Sequence, residues 1–385
     1  MTREVFMWNY IKKNIVPNYY NELYINSKKI YSLKNDSEKK NISSLILYTS
    51  LFPSFIQSKI HNNEDYILKK IIHRNYDGAG ILIKDNYSIE DYLNTFYKQK
   101  FRSNIKRYKR HLESSFDIKY ETYFGDISKE NFNFLIDNLY ILLKKRFKQK
   151  NKKNHFLENW ENNIKDLRTQ INNKKASLLV IYDCKKPISI SISQHNDAAG
   201  IRFSDCTAYD IDYSKFGLGH LSNYKKLEWC LNNNYIFLDL GNGISNIKKE
   251  WCNTLYDFEY QLYYKKKSTL AYIIAYYEIF KIKVKNLIKH LFIKNQVEKN
   301  KSKSPKLKPS YSLYKLNSNK NIQNGNHVLV NINKQNFEFL RLPVYNYLFS
   351  CNEHINNITI YEVKNELNTY LIKGQNNFTK LILNT

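Results

Sequence analysis

The chain has 385 residues, of which 42% are hydrophobic and 15% are aromatic, so a largely disordered protein is excluded. Lys and Arg number 61 against 35 Asp and Glu, which gives a formal net charge of +26. Such a charge attracts nucleic acid, an acidic membrane or a phosphate-rich cofactor, although the even spread of lysines is equally typical of a compositional bias.

Residues 1–95 mix helical and strand signals around the turn "NYDGAG" and predict an N-terminal α/β region. Residues 101–113, "FRSNIKRYKRHLE", predict a basic amphipathic helix. Its apolar face carries Phe101, Ile105, Tyr108 and Leu112. Its basic face carries Arg102, Lys106, Lys109 and Arg110. These four cations are either a solvated surface or contacts to nucleic-acid phosphates.

Strand and helix signals alternate in the next part of the chain. Residues 117–124, "DIKYETYF", alternate as a strand does, and helical stretches follow near 128–150 and 155–173. After residue 175 the apolar residues recur at every second position, which is the pattern of a strand. The strands "SLLVIYD" and "ISISISQH" flank the turn "CKKP", and a third strand, "IRFSDCTAY", follows the turn "DAAG".

A glycine-containing loop, "DIDYSKFGLG", then opens a predicted helix over "HLSNYKKLEWCLNNN". The strand "YIFLDL", the short helix "ISNIKKEWCN" and a last strand, "YDFEYQLYYKK", complete the region. From about residue 115 the predicted order of elements is therefore β, α, α, β, β, β, α, β, α, β.

The remainder of the chain divides by composition. Residues 268–292 predict a basic helical region, and the Lys-rich residues 293–325 predict a flexible linker. Residues 326–385 predict a small β-rich appendage, because "HVLVNI" and "NITIYEV" are strand-like. We expect the residues beyond about 295 to form a separate module.

The five cysteines contain no C-x-x-C pair and their number is odd, so neither a metal site nor a disulfide framework is expected. The N-terminal stretch "MTREVFMWNYIKKN" lacks the apolar core of a signal peptide. The most apolar run, at 269–280, is shorter than the about 20 residues that span a bilayer. We therefore expect a cytoplasmic protein without a membrane span.

The stretch "LDLGNG" at 238–243 joins an acidic strand end to two glycines. This combination is similar to the first glycine motif of S-adenosylmethionine methyltransferases, in which several βα units follow. Here Ser245 occupies the third glycine position, and one short helix and one strand precede the linker. The order of elements therefore disfavours a methyltransferase.

A second glycine pair stands directly before a predicted helix. The loop "FGLG" comprises Phe216, Gly217, Leu218 and Gly219. A helix N-terminus offers unpaired N–H groups and about half a positive charge, and glycine lets a phosphate approach the backbone. The loop is either a cradle for a pyrophosphate or an ordinary helix cap.

Three antiparallel strands, a glycine loop that opens a helix, and a further strand beside the third resemble the core of the GNAT superfamily of N-acyltransferases. Within it, residues 96–267 are similar to the acyltransferases related to FemABX and to proteins of cellulose-biosynthesis loci. The positions that match that family's motifs in order and spacing are Tyr209, Asp210, Gly219, Asp239, Gly241, Lys248 and Trp251. The basic helix resembles the Arg-rich segment before the family's domain, whereas Leu218 stands where the family often has proline.

The resemblance implies a mixed α/β fold, with a mainly antiparallel sheet flanked by helices. It also implies transfer of an acyl group such as acetyl from acyl-coenzyme A to an amine, with no metal. The implied catalytic residues are Asp239, Tyr209 and Lys248. Asp239 either deprotonates or binds the amine or caps the following turn, and Lys248 either pairs with Asp239, contacts phosphate or lies at the surface. Tyr209 is a candidate general acid.

The same resemblance implies two groups of binding residues. The donor is expected at the loop Phe216 to Gly219 with His220, and along the preceding strand through Cys206 and Thr207. The substrate-side candidates are His195, Asp210, Asn242 and Trp251. The acceptor is an amine-bearing small molecule, an amino sugar or a peptide.

Two other functions stay open on the sequence. The FemABX relation also implies an aminoacyl-tRNA donor, which would give the basic helix a purpose. A non-catalytic nucleic-acid-binding protein is the other alternative. A well-formed cleft for the acyl donor would argue against this non-catalytic alternative.

Overall fold

The computed structural model describes residues 1–33, 44–84, 87–301, 311–316, 327–375 and 377–384. Its helices are α1 (Phe6–Lys13), α2 (Ile89–Phe96), α3 (Gln99–Ser115), α4 (Lys129–Gln149), α5 (His155–Glu158), α6 (Trp160–Ile164), α7 (Leu167–Asn172), α8 (Leu218–Asn232), α9 (Asn246–Trp251), α10 (Thr269–Lys301) and α11 (Arg341–Cys351).

Its strands are β1 (Thr2–Val5), β2 (Tyr20–Ile25), β3 (Lys28–Ser32), β4 (Ile46–Pro53), β5 (Ile56–Ile60), β6 (Tyr66–Leu82), β7 (Ile118–Tyr123), β8 (Ala176–Asp183), β9 (Lys186–Asn196), β10 (Ile201–Tyr209), β11 (Phe237–Asn242), β12 (Thr254–Lys265), β13 (Tyr311–Leu316), β14 (His327–Leu329), β15 (Thr359–Val363), β16 (Thr369–Lys373) and β17 (Phe378–Leu383).

A nine-stranded sheet, in the order β1-β4-β12-β6-β11-β10-β9-β8-β7, forms the centre of the protein. The pairs β1–β4 and β10–β11 are parallel, and the other six pairs are antiparallel. Helices cover both faces of this sheet. The structure thereby confirms the predicted fold class, a mixed and mainly antiparallel sheet flanked by helices.

The alternating Ile and Ser residues of β9 explain why this strand lies in the middle of the fold. Ile190 and Ile192 pack with apolar residues of α4, such as Leu135, in one core cluster. On the opposite face the Ser189 hydroxyl lies 3.1 Å from the Ser222 hydroxyl of α8. Both faces are therefore buried, and the small serines let α8 lie close to the sheet, while the hydroxyls of Ser189 and Ser191 stay hydrogen-bonded.

The N-terminal region does not form a sheet separate from the predicted acyltransferase domain. β12 lies between β4 and β6, and β6 pairs with β11. The Tyr20 hydroxyl of β2 also donates to the Gln261 side chain of β12 at 3.1 Å. The predicted domain boundary near residue 95 therefore divides strands that belong to one continuous sheet. The sequence analysis placed a boundary there because local residue patterns do not show which distant strands pair.

Two helices compare directly with their predictions. α3 confirms the basic amphipathic helix, since Ile105 and Leu112 are buried on its apolar face. α10 begins where the basic helical region was predicted but continues to Lys301. Among the described residues, no helix is both long enough and apolar enough to cross a membrane.

The predicted linker at 293–325 requires a correction. Its first part is the end of α10, and its residues 311–316 form strand β13, which pairs with β17. β13 thus joins a five-stranded sheet in the order β13-β17-β16-β15-β14. The remaining residues of the predicted linker, 302–310 and 317–325, lie outside the described residues.

The C-terminal sheet and α11 share a core with the rest of the protein, which corrects the prediction of a separate module. The ring of Tyr345 in α11 lies 4.9 Å from that of Phe116 and 4.6 Å from that of Tyr213, centroid to centroid. Leu348 and Val344 belong to the same buried cluster. The aromatic residues of α11 fill the space beside α3, which sequence composition alone does not reveal.

We predict that Tyr345→Ala lowers the free energy of unfolding by about 3 kcal/mol, because it leaves a cavity beside the rings of Phe116 and Tyr213. Urea denaturation of the full chain measures this change. Tyr314→Ala is the control, since this tyrosine of the same C-terminal sheet is 54% exposed and its loss should change stability little. Equal effects of the two substitutions would contradict the shared core.

Candidate active site

Strands β10 and β11 lie side by side in parallel, but within their described length they pair only over Ile201–Phe203 and Phe237–Asp239. The register of β10 against β9 then jumps between Ser204 and Cys206, so Asp205 is the extra residue of a β-bulge. Bulges bend a strand and re-aim its side chains. The two parallel strands therefore diverge at this bulge and leave a gap in the sheet.

The turn after Asp239 is fixed around Gly241. Gly241 has a φ of +84°, and an added Cβ would lie 2.9 Å from the Ser204 carbonyl oxygen. Any other residue would be strained by the positive φ, and its Cβ would also clash with this carbonyl oxygen. The Gly241 N–H donates to Asp239 Oδ1 at 2.5 Å, and its carbonyl accepts from Lys248 Nζ at 2.9 Å. This turn thus holds Gly241 against Ser204, the last residue of β10 before the bulge.

A cavity of about 140 Å³ lies on the face of the sheet that carries α1, and we call it the Asp239 cavity. Met7 and Ile11 of α1 form part of its largely apolar wall. Asp239 lines it and is 2% exposed, and its Oδ2 accepts a hydrogen bond from the Tyr256 hydroxyl at 2.7 Å. Burial raises the pKa of Asp239 to about 6, although the bonds from Tyr256 and Gly241 oppose the shift.

A second cavity, of about 230 Å³, lies on the opposite face of the sheet, beside α8, and we call it the Lys226 cavity. Three cationic side chains line it, namely Arg146, Lys226 and Lys248. Ser204 and Asp205 line both cavities, so the two spaces lie on either side of these two residues, where the pairing of β10 with β11 ends. One face of the gap therefore presents a buried carboxyl group, and the other presents positive charge.

Lys226 is a fully buried lysine that the sequence analysis did not select. Its Nζ donates to Thr207 Oγ1 at 2.9 Å. Burial lowers the pKa of Lys226 to about 7, and the nearby cations Arg202 and Lys248 lower it further. Near neutral pH this amine therefore exchanges between a charged and a neutral form, which is a property typical of functional lysines.

Lys248, on the short helix α9, lines the Lys226 cavity and reaches the turn at Gly241. Its Nζ donates to the carbonyl oxygens of Gly241 and Asn242, at 2.9 and 2.6 Å. Burial lowers the pKa of Lys248, while Asp239 and Asp77 act in the opposite direction. Its ammonium group thus stabilises the turn directly and acts on Asp239 through its charge.

The predicted donor residues on β10 line the Lys226 cavity. The Thr207 carbonyl accepts from Arg146 Nη1 at 3.0 Å, and the guanidinium carbon of Arg146 lies 4.1 Å from the ring centroid of Tyr209. Cys206 also lines this cavity, and burial raises the pKa of its thiol to about 12. The thiol therefore stays protonated at neutral pH, which excludes Cys206 as a thiolate nucleophile.

The glycine loop contributes to the Lys226 cavity through one of its residues, Gly219. Gly217 has a φ of +64°, and an added Cβ would lie 2.7 Å from the ring of Tyr108, which packs against it from α3. His220 stacks on Tyr108 at a centroid distance of 5.5 Å. The other two residues of the loop are buried in the core, namely Phe216 and Leu218. At Gly217, α3 thus occupies the space beside the loop.

Of the four predicted substrate-side residues, Asn242 lines the Asp239 cavity. Asp210 is buried and pairs with Lys145 and Lys186 at 3.3 and 2.7 Å. Burial by itself would raise the pKa of Asp210, but the two lysines hold it below its ordinary value. Its ion pairs tie the end of β10 to α4 and β9, outside the linings of both cavities.

His195 and Trp251 also lie outside the linings of the two cavities. Ser177 Oγ lies 2.7 Å from Nε2 of His195, and the Tyr235 hydroxyl lies 3.0 Å from its Nδ1. Burial lowers the pKa of His195 well below its usual range, so the ring is neutral. Trp251 is fully buried, and its Nε1 donates to His220 Nδ1 at 3.2 Å. The neighbours of both residues are therefore core groups.

The basic face of α3 lies away from the two cavities. Arg102 Nη1 donates to Asn94 Oδ1 at 2.5 Å, and Lys109 Nζ lies 5.6 Å from the ring centroid of Tyr224. The other two cations of this face are exposed to solvent, namely Lys106 and Arg110. A nucleic-acid contact through these residues stays a prediction.

Two functional candidates that the sequence analysis missed do leave a signal in the sequence. Lys226 stands four residues from both Ser222 and Cys230, so it shares their helix face, which is buried. Arg146 belongs to the run "KKRFKQKNKK" at 144–153. In contrast, no local pattern marks Asp205, because its bulge depends on how β10 pairs with β9.

No protein-family model and no curated protein sequence matches the chain. Among solved structures, FemX is 10% identical over 57% of this chain and 72% of its own, with a TM-score of 0.39. L-PGS from Bacillus licheniformis is 12% identical over 62% of this chain and 72% of its own, with a TM-score of 0.34.

A conserved protein of unknown function from Bacteroides thetaiotaomicron is 15% identical over 53% of this chain, with a TM-score of 0.37. The match covers 64% of that protein, which is less than two thirds of its length. Likenesses at these TM-scores assign neither a family nor an activity to this chain. The predicted relation to FemABX-type acyltransferases therefore stays a prediction.

We predict that the buried Asp239 makes the protein less stable as the pH rises. Its folded pKa of about 6 lies above the unfolded value of about 3.9, so the folded state binds the proton more tightly. Between about pH 4 and about pH 7 the wild type should lose up to about 3 kcal/mol of stability relative to Asp239→Asn.

Urea denaturation of both proteins across this pH range gives the difference in unfolding free energy. A difference that does not change with pH would contradict the raised pKa. Asp126→Asn, at an exposed carboxyl group, is the control and should show no such trend.

Proposed function

We propose that the protein is an N-acyltransferase that passes an acyl group from acyl-coenzyme A, such as acetyl-coenzyme A, to an amine. The observation that carries the proposal is the gap between the parallel strands β10 and β11, with a cationic cavity on one face and a carboxyl-lined cavity on the other. Donor and acceptor can enter from opposite faces and meet where Ser204 and Asp205 line both spaces.

The Lys226 cavity is suited to the donor. Arg146 and Lys248 favour the phosphate groups of coenzyme A, and a diverging strand edge leaves backbone groups for the pantetheine arm. The thioester carbonyl would then lie at the gap, within reach of the Lys226 ammonium. In its charged form Lys226 donates a hydrogen bond to the carbonyl oxygen and stabilises the negative charge that develops there.

The Asp239 cavity is suited to the amine. The Asp239 carboxylate accepts two hydrogen bonds from the protein and has lone pairs left for the substrate. As the amine nitrogen bonds to the carbonyl carbon, its proton passes to Asp239, and the carbon–sulfur bond breaks to release the coenzyme A thiolate. We assign the protonation of this leaving group to Tyr209, which lines the donor cavity.

A second candidate donor is aminoacyl-tRNA, and one observation favours it. α4 ends in a run with seven basic residues among ten, at 144–153, and Arg146 of this run lines the Lys226 cavity. An RNA phosphate backbone would follow such a run into the cavity. In this case the bond that breaks is the ester between the amino acid and the tRNA, and the roles of Asp239 and Lys226 stay the same.

We predict that Gly219→Glu weakens acetyl-coenzyme A binding at least about 100-fold, because it places a carboxylate in the donor cavity opposite the donor's phosphates. The fold should tolerate the change, since the nearest atoms to an added Cβ lie at 3.4 and 3.6 Å. Calorimetry with acetyl-coenzyme A measures the affinity. Asn232→Glu, which adds the same charge at the exposed end of the same helix, is the control.

Equal affinity of Gly219→Glu and wild type, at unchanged melting temperature, would contradict the placement of the donor. The two candidate donors are separated by competition in the same experiment. Displacement of acetyl-coenzyme A by uncharged tRNA, with an affinity that falls steeply with salt, would favour the aminoacyl-tRNA donor.

We predict a bell-shaped pH dependence of kcat/KM, measured as release of the coenzyme A thiol with a panel of amines. The rate should rise as Asp239 loses its proton near pH 6 and fall as Lys226 loses its proton near pH 7. Asp239→Asn should lower the rate about 100-fold or more. Lys226→Met should lower it by about the same factor and remove the alkaline limb.

Lys225→Met is the matched control for Lys226. It removes the neighbouring lysine, whose Nζ pairs with Glu228 at 2.7 Å and which lies outside the cavity lining. This variant should keep both limbs of the pH profile. If it loses the alkaline limb as well, or if Lys226→Met retains it, Lys226 does not act on the acyl carbonyl.

A further inference from the structure

α10 packs on the main sheet through one narrow face. Ala271 and Ala275 pack against Tyr264, and farther along Ile279 and Ile282 pack against Leu262. The Asn286 side chain also donates to the backbone carbonyl of Ile72 at 2.9 Å. This face accounts for how the helix is held on the protein.

The opposite face of α10 carries a second apolar stripe that nothing in the described residues covers. Its members are spaced by three and four residues and are between 37% and 66% exposed, namely Leu270, Ile273, Tyr277, Phe280, Val284 and Leu287. Spacing of this kind places side chains on one side of a helix. A continuous exposed apolar surface of this length is typical of an interaction site.

Positive charge flanks the stripe. At 100° per residue, Lys281 and Lys285 lie on one side of it and Lys283 on the other, and all three are exposed. Between 265 and 289 the sequence has one acidic residue, Glu278. Glu278 is buried and pairs with Arg3 and Lys281 at 2.9 and 3.0 Å, so it is not available at the edge of the stripe.

This charge pattern distinguishes between two possible partners of the stripe, a second copy of the chain and a lipid surface. A second copy of α10 would bring lysines against lysines, with no acidic residue at the stripe's edge to pair with them. An anionic lipid surface complements both parts, since the apolar side chains enter the acyl region and the lysines contact the headgroups. Exposed Tyr272 and Tyr276 beside the stripe suit the interface between lipid and water.

We propose that α10 lies flat on the surface of an anionic membrane and docks the protein there through this stripe. The packed face of α10, opposite the stripe, reaches the wall of the candidate active site. Lys289 Nζ of α10 lies 5.8 Å from the ring centroid of Tyr76, and Tyr76 lines the Asp239 cavity. A docked α10 would thus lie between this wall of the Asp239 cavity and the lipid surface.

Sedimentation of the full chain with vesicles tests this proposal. The wild type should bind vesicles that contain about one third phosphatidylglycerol in phosphatidylcholine, and it should not bind phosphatidylcholine alone. The double variant Ile273→Ser with Phe280→Ser should bind the anionic vesicles at least about tenfold more weakly. Its melting temperature should stay unchanged because both side chains are exposed.

The chain offers a matched control on another helix. Phe134 and Ile141 of α4 are also an exposed Phe and Ile seven residues apart. Phe134→Ser with Ile141→Ser should bind anionic vesicles as the wild type does. Three results would overturn the proposal: no binding of the wild type, equal binding of both double variants, or a lipid-free dimer that the α10 variant alone dissociates. The last result would assign the stripe to a second copy of the chain.

Discussion

The close approach of Gly241 to the Ser204 carbonyl sets the geometry on which the candidate site depends. Because residue 241 has no side chain, the turn at the end of β11 lies against Ser204 of β10, just where the pairing of the two strands ends. Asp239 binds this turn through its N–H, and Lys248 binds it through its carbonyl. A larger residue at 241 would push the strands apart and separate the groups that line the two cavities.

The two faces of the gap differ in charge because burial acts on opposite groups. The same desolvation raises the pKa of Asp239 and lowers that of Lys226, so that both pKa values lie near neutral pH. In a low-dielectric site each group therefore responds strongly to a neighbouring reacting atom. A proton acceptor and a cationic hydrogen-bond donor on either side of one opening suit the transfer of an acyl group to an amine.

Distant parts of the chain hold this opening in place. β6, from the N-terminal region, pairs with β11 on the side away from β10. Behind the glycine loop, the ring centroid of Phe216 lies 5.2 Å from that of Phe349 in α11. The C-terminal unit therefore supports the start of α8. α10 packs on β12 and β6 of the same sheet and leaves its apolar stripe to solvent. Stability and the position of the site are therefore coupled through one core.

Local residue patterns determined the individual elements, and the tertiary structure decided how they combine. The period of two in "ISISIS" and the helical period of residues 101–113 predicted β9 and α3, because burial of one face imposes its spacing on the sequence. The resemblance to FemABX-related acyltransferases selected Asp239, which lines a cavity, and Trp251, which is buried in the core. The membership of β1, β4 and β6 in the main sheet, the bulge at Asp205 and the burial of Lys226 arise from contacts between residues far apart in the chain. A local pattern carries no record of such contacts, and only the folded structure decides them.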